Sequence, residues 1–144
     1  MPAGYSGTPL ARKLGIRAGH RVGTIAAPDA FPGLLDPLPE DVRLEAVPEP
    51  PADADTGDRD VVIAFAPDRA ALADRLDRGR RLIHPDGGLW IAWPKMASPL
   101  HRDLRRDAVR AMGLDTGLVD NKVCAIDDDW SALRFVYRTE DRPG

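Results

Sequence analysis

Cysteine is almost missing from this chain. Its one copy, Cys124, rules out an internal disulfide and suits a reducing compartment. Long apolar runs are missing as well, and none approaches the roughly 18 residues that a membrane-spanning helix needs. The first residues hold Gly, Ser and Thr, without the basic segment and apolar stretch of a secretory leader. These absences lead us to expect a soluble, cytoplasmic protein. Excess positive charge is lacking too. With 23 acids against 20 bases the net charge is −3, so there is no electrostatic footprint for nucleic acid or for an anionic membrane. Arg78, Arg80 and Arg81, and likewise Arg102, Arg105 and Arg106, are interleaved with acids and read as solvated helix faces. Metal-ligand spacing is not found: His20, His84 and His101 lie far apart, with no His-x-x-x-His or Cys-x-x-Cys. Neither a Gly-x-Ser-x-Gly elbow nor a phosphate loop occurs, and no internal repeat is visible.

What is present is an ordinary globular composition over 144 residues, 43% hydrophobic and 30% charged, the size of one domain. Thr8-Pro9 caps and opens a short helix that Gly15 stops, and residues 1–18 form an N-terminal helical arm. Arg17-Ala18-Gly19-His20 is a turn. Arg21 to Ala27 reads as the first strand, Ala30 to Leu35 as at most a short helix, and Arg43 to Val47 as a second strand. Residues 48–58 are rich in Pro, Ala and Asp and form a loop. Asp60 to Phe65 is continuously apolar after its first residue, as in a parallel strand buried on both faces. From Asp68 the period becomes helical, with Leu72, Leu76, Gly79 and Ile83 on one face.

Leu82 to Lys95 is the most informative stretch. It reads as a helix end, a Pro85-Asp86-Gly87-Gly88 turn, a buried strand from Leu89 to Trp93 and a Pro94-Lys95 exit. Ser98-Pro99 then opens a helix with the stripe Leu100, Leu104, Ala108, Ala111 and Met112. Val123 to Ile126 and Ala132 to Tyr137 make a closing antiparallel hairpin, and residues 139–144 a frayed tail. Strands alternating with helices predict a three-layer, doubly wound, Rossmann-like α/β sandwich, its sheet mostly parallel with an antiparallel C-terminal hairpin.

From Asp60 to Tyr137 this order, with its Pro-Asp-Gly-Gly turn before a buried strand, resembles the second half of class I S-adenosylmethionine-dependent methyltransferases. The resemblance implies a methyltransferase-like scaffold, reduced in size. The whole chain is also similar to a family of small bacterial proteins described only as a domain of unknown function. That similarity runs through Gly4–Leu10, Lys13–Ile16, Gly87–Trp90, Trp93–Lys95, Val119–Ile126 and Leu133–Tyr137, and implies no established activity.

Cofactor binding in the larger superfamily needs a glycine-rich loop after the first strand and an acid after the second. Here the first strand runs out through Ile25-Ala26-Ala27-Pro28-Asp29-Ala30, with no Gly-x-Gly, and Pro28 lacks an N–H where the loop should turn. Glu45 or Glu49 would serve as the ribose acid, or simply as a surface carboxylate. The departure disfavours S-adenosylmethionine, and no cofactor is expected.

Ligands of open α/β sheets bind at the carboxyl ends of the parallel strands. On that edge the candidate ligand-binding residues are Lys95, Asp29, Asp68 and Trp93. Lys95 comes first, because a lysine held by a rigid proline exit would neutralise a phosphate or carboxylate; the plainer alternative is a surface lysine. Trp90 and Trp93 are three apart in a strand and face opposite sides, one for the core and the other for a site wall. Asp120, Asn121 and Lys122 are secondary candidates, set against a helix-end cap before the next strand. Asp127-Asp128-Asp129 reads as a turn, and Cys124 as a buried, inert thiol. These features point to a non-catalytic binding or regulatory protein with an unidentified protein or small-molecule partner. The alternative is an S-adenosylmethionine-dependent methyltransferase, or another small-anion-binding enzyme, with an atypical pocket.

Overall fold

A computed structural model describes residues 9–47 and 57–138 of the chain. Thr8, Glu49, most of the Pro/Asp-rich loop and the tail at 139–144 lie outside the described residues. The elements are α1 (Leu10–Lys13), β1 (Arg21–Ile25), α2 (Phe31–Leu34), β2 (Arg43–Ala46) and β3 (Arg59–Phe65), followed by α3 (Arg69–Leu82), β4 (Ile83–Pro94), α4 (Arg106–Asp115), β5 (Leu118–Ala125) and β6 (Trp130–Tyr137).

The six strands form one sheet in the order β2-β1-β3-β4-β6-β5. β2, β1, β3 and β4 are mutually parallel, whereas β6 runs antiparallel to both β4 and β5. The fold is therefore the doubly wound α/β sandwich expected, with its antiparallel C-terminal hairpin. Strand order reverses at β1, which has β2 on one side and β3 on the other, and this is the switch point where such sheets open a crevice.

Two apolar layers sandwich the sheet. On one face α3 and α4 cover Val62, Ala64, Leu89, Ile91, Trp93, Leu133 and Phe135. On the other, α1 and α2 bring Ala11, Leu14, Phe31 and Leu35 against Val22, Val61, Ile63, Phe65 and Trp90. The alternation of the central strands produces this division, since successive side chains point to opposite faces. Trp90 and Trp93 do part company as expected. The Trp90 indole N–H donates to Leu14 O at 3.0 Å and ties α1 to the sheet.

Three local expectations are corrected. The Pro85-Asp86-Gly87-Gly88 segment is not a turn before a strand, because β4 begins at Ile83 directly from α3. Arg59 pairs with Ile83 and Val61 with Gly88, so β4 advances five residues while β3 advances two. The excess is taken up as a bulge. Gly87 is needed there for space, as a Cβ would stand 2.8 Å from the carbonyl oxygens of both Arg59 and Asp60.

The helix expected at Ser98 opens only at Arg106. Ser98 instead makes a local turn, its N–H donating to Lys95 O and its Oγ accepting from Leu100 N, each at 3.0 Å. Ala111 and Leu100 consequently point to solvent, while Val109 and Gly113 take the buried positions. Finally, β5 starts at Leu118. Asp120, Asn121 and Lys122 therefore lie within a strand and cap no helix, and the pairing register shifts between Asp120 and Lys122.

Candidate functional site

The carboxyl ends of β1, β3 and β4 meet the Ile126–Asp129 turn that joins β5 to β6. Beyond β1 the chain turns sharply at Ala26, which holds φ +56°, a left-handed conformation that costs a non-glycine residue on the order of 1 kcal/mol. The Phe31 N–H donates to Pro28 O at 2.9 Å, and this turn aims the Phe31 ring inward. Phe31 meets Phe65 edge-on at 4.9 Å between centroids, and Phe65 meets Trp130 at 5.0 Å. Edge-to-face rings of this kind add about 0.5–1.5 kcal/mol per pair beyond their burial.

Above this aromatic row lies a cleft of about 420 Å³ lined by Pro28, Ala30, Phe31, Leu34, Phe65, Leu100, Ile126, Asp127, Asp129 and Trp130. A second recess of about 330 Å³ shares Leu100 and Trp130 with it and adds Pro67, Pro94, Pro99, His101 and Arg102. The carboxylates are committed to the fold. Asp127 Oδ1 accepts from the N–H groups of Asp129 and Trp130 at 2.8 and 2.9 Å, so the triple-Asp segment is the turn expected of it. Asp129 Oδ1 accepts from Ser98 Oγ at 2.8 Å. His101 Nε2 is buried at the second recess without a hydrogen-bond partner among the described residues.

The sequence candidates are scattered by the structure. The Lys95 N–H donates to Asp129 O at 2.8 Å and its carbonyl accepts from Ser98 N, so its backbone fastens the β4 exit to the hairpin turn, while its side chain lines neither cleft. Asp29 is exposed beside the larger cleft, between the lining residues Pro28 and Ala30. Asp68 is the N-cap of α3, its Oδ1 accepting from Ala71 N at 3.0 Å, with Arg102 3.9 Å from Oδ2. Trp93 is only 5% exposed in the layer beneath α3 and α4, a core residue and not a site wall. Asp120 accepts from Arg110 Nε of α4 at 3.2 Å and Asn121 is exposed at the register shift. Lys122 lies on the opposite face of β5, in a different cleft near the amino ends of the strands. Phe31, Phe65, Trp130 and His101 went unselected. Their one signal in the sequence is aromatic residues at or beyond strand ends, which core packing produces just as readily.

The resemblance to class I methyltransferases raises S-adenosylmethionine as a ligand, and the residues here do not form the usual cradle for it. Pro28 supplies no N–H, no glycine lets the loop backbone approach a ligand, and the Phe31 ring is buried across the crevice. Glu45 on β2 is exposed, on an edge strand away from the cleft lining.

No protein-family model matches the sequence, and no curated protein matches it significantly. Solved structures do match in fold. The chain is similar to a putative type 11 methyltransferase from Sulfolobus solfataricus (TM-score 0.59, 12% identity, 94% of this chain and 93% of that one). It is similar to a TehB-like SAM-dependent methyltransferase from Corynebacterium glutamicum (TM-score 0.56, 11% identity, 94% and 91%). It is also similar to Aeropyrum pernix fibrillarin in complex with natively bound S-adenosyl-L-methionine (TM-score 0.57, 14% identity, 84% and 68%). At these identities the likeness establishes a methyltransferase-like fold.

Proposed function

We propose that the chain is a non-catalytic binding protein on a methyltransferase-like scaffold, taking a small, largely apolar ligand in the cleft above Phe31, Phe65 and Trp130. One observation carries this reading. The cleft stands at the switch point where such sheets bind ligands, yet its floor is aromatic and its carboxylates are engaged in turn hydrogen bonds. Apolar walls with few free polar groups suit ligand burial better than chemistry. Kinship with the small bacterial family, and a cytoplasmic location, belong to the same proposal.

A second reading, a methyltransferase with an atypical pocket, is favoured by the comparisons, in which fold neighbours are S-adenosylmethionine-dependent enzymes, one holding the cofactor. Within that reading His101 Nε2, buried and unpartnered among the described residues, is the group placed to accept a proton.

Titration calorimetry with S-adenosylmethionine and S-adenosylhomocysteine separates the two. The first reading expects no saturable heat with either compound. Saturable binding with a Kd of about 10 μM or below, near −7 kcal/mol, would overturn it in favour of the second.

A further inference from the structure

A cleft of about 350 Å³ opens on the α1 face, near the amino ends of the parallel strands and away from the site just described. Its walls carry Lys13, Arg17, Lys122 and Arg134 against Asp60 and Asp86. Four cations facing two carboxylates leave a local charge of +2, in a chain whose net charge is −3. The charges are sorted along the sheet. Asp60 and Asp86 belong to β3 and β4, whereas Arg134 and Lys122 stand on β6 and β5.

Lys122 and Arg134 are register partners, directly opposite one another on adjacent strands. Like charges so placed disfavour strand pairing, and an anion lying between them lessens that repulsion. Lys13 reaches the same end from α1, close enough to Cys124, the next inward-facing residue of β5, to act on its ionisation. The slot for the guanidinium is built into the backbone: a Cβ on Gly88 would stand 2.8 Å from Arg134 Cζ and Nη2. Neighbouring arginines are differently employed. Arg21 and Arg59 both bind Asp58 at 2.6 Å outside the cleft lining, while Lys13, Arg17 and Lys122 form no ion pair among the described residues.

We propose that this cleft binds a phosphate dianion, held by Lys13, Lys122 and the planar fork of Arg134, as the charged end of a small phosphate monoester. Two ammonium groups and one guanidinium supply one donor group for each terminal oxygen of a phosphate monoester and outweigh its double negative charge. On the β3–β4 side Asp60 Oδ2 accepts from Arg21 N at 2.9 Å, which leaves Asp86 and the second oxygen of Asp60 to accept hydrogen bonds from hydroxyl or amine groups on the ligand's other end. The two carboxylates also repel a second phosphate, which selects a monoester over a polyphosphate.

The test is calorimetry on the full chain with ribose 5-phosphate, inorganic phosphate and ribose at constant ionic strength. Saturable binding of ribose 5-phosphate, with none for ribose, is expected. Binding of inorganic phosphate as tight as that of the ester would identify the free ion as the ligand and overturn the monoester assignment. Lys122→Ala removes one charge-assisted contact from an exposed position and raises Kd about tenfold, the equivalent of 1.4 kcal/mol. Lys13→Gln acts in the same direction, and Lys95→Ala, at the opposite edge, changes nothing. Lack of saturable binding by either phosphate, or wild-type affinity in a folded Lys122→Ala, overturns the site.

Discussion

Gly79 and Gly113 look interchangeable with alanine in the sequence, since both lie within helices, where glycine is the poorer choice by about 1 kcal/mol. The structure explains both by space. A Cβ on Gly79 would overlap the Leu89 side chain, and one on Gly113 would overlap the Phe135 ring. α3 and α4 therefore approach the sheet as closely as backbone allows. Gly113→Ala is expected to destabilise the fold by about 1–3 kcal/mol through overpacking, despite its gain in helix propensity, and urea denaturation will read the loss as a lower midpoint. Cys124 illustrates the opposite problem, a residue whose type says little until its surroundings are known. Burial pushes its thiol above the ordinary range, and the Lys13 ammonium draws it part of the way back. Alkylation by iodoacetamide at pH 7 is thus expected to be slower than for a free thiol, and slower again in Lys13→Gln. The folded chain holds this proton more tightly than the unfolded one. Its contribution to stability is complete below the ordinary thiol range and declines as pH rises from there toward the raised value.

Among the elements, α3 shows how a functional candidate becomes a structural one. Asp68 stands at the carboxyl edge, where a ligand acid would be sought, but its extended backbone and its hydrogen bond to Ala71 N make it a helix cap. Asp68→Ala should cost about 1 kcal/mol and Asp68→Asn much less, and thermal melts of the two variants compare them directly. Equal losses in both would mean that the charge, and not the cap, matters there. β4 and β5 show the complementary case. Their apolar centres are legible, but their extent is not. Polar Asp120, Asn121 and Lys122 hide the first half of β5, because pairing with β6 overrides their low strand propensity. Pro85 to Gly88 looks like a turn, yet it pairs with β3 as a bulge in which the carbonyls of Arg59 and Asp60 leave room only for glycine at position 87.

For the molecule as a whole, the alternation of apolar strands with amphipathic helices sufficed to foresee a doubly wound sheet with an antiparallel end. Each of those signals is local, resting on a side-chain period of two or 3.6 and on turn residues a few positions away. The missing glycine loop was legible for the same reason, since Ile25 to Ala30 is one short segment. Neither cleft was. The carboxyl-edge cleft takes Phe31, Phe65 and Trp130 from three distant segments, and the amino-edge cleft joins Lys13 to Lys122 and Arg134. Composition does not reveal the second, because a net charge of −3 averages over a surface on which the charges are segregated. Local patterning is enough for the order of strands and helices and for the lack of a conventional cofactor loop. Which side chains share a cavity, and where β4, α4 and β5 begin, follow from sheet order and strand register, which pairing between distant segments sets.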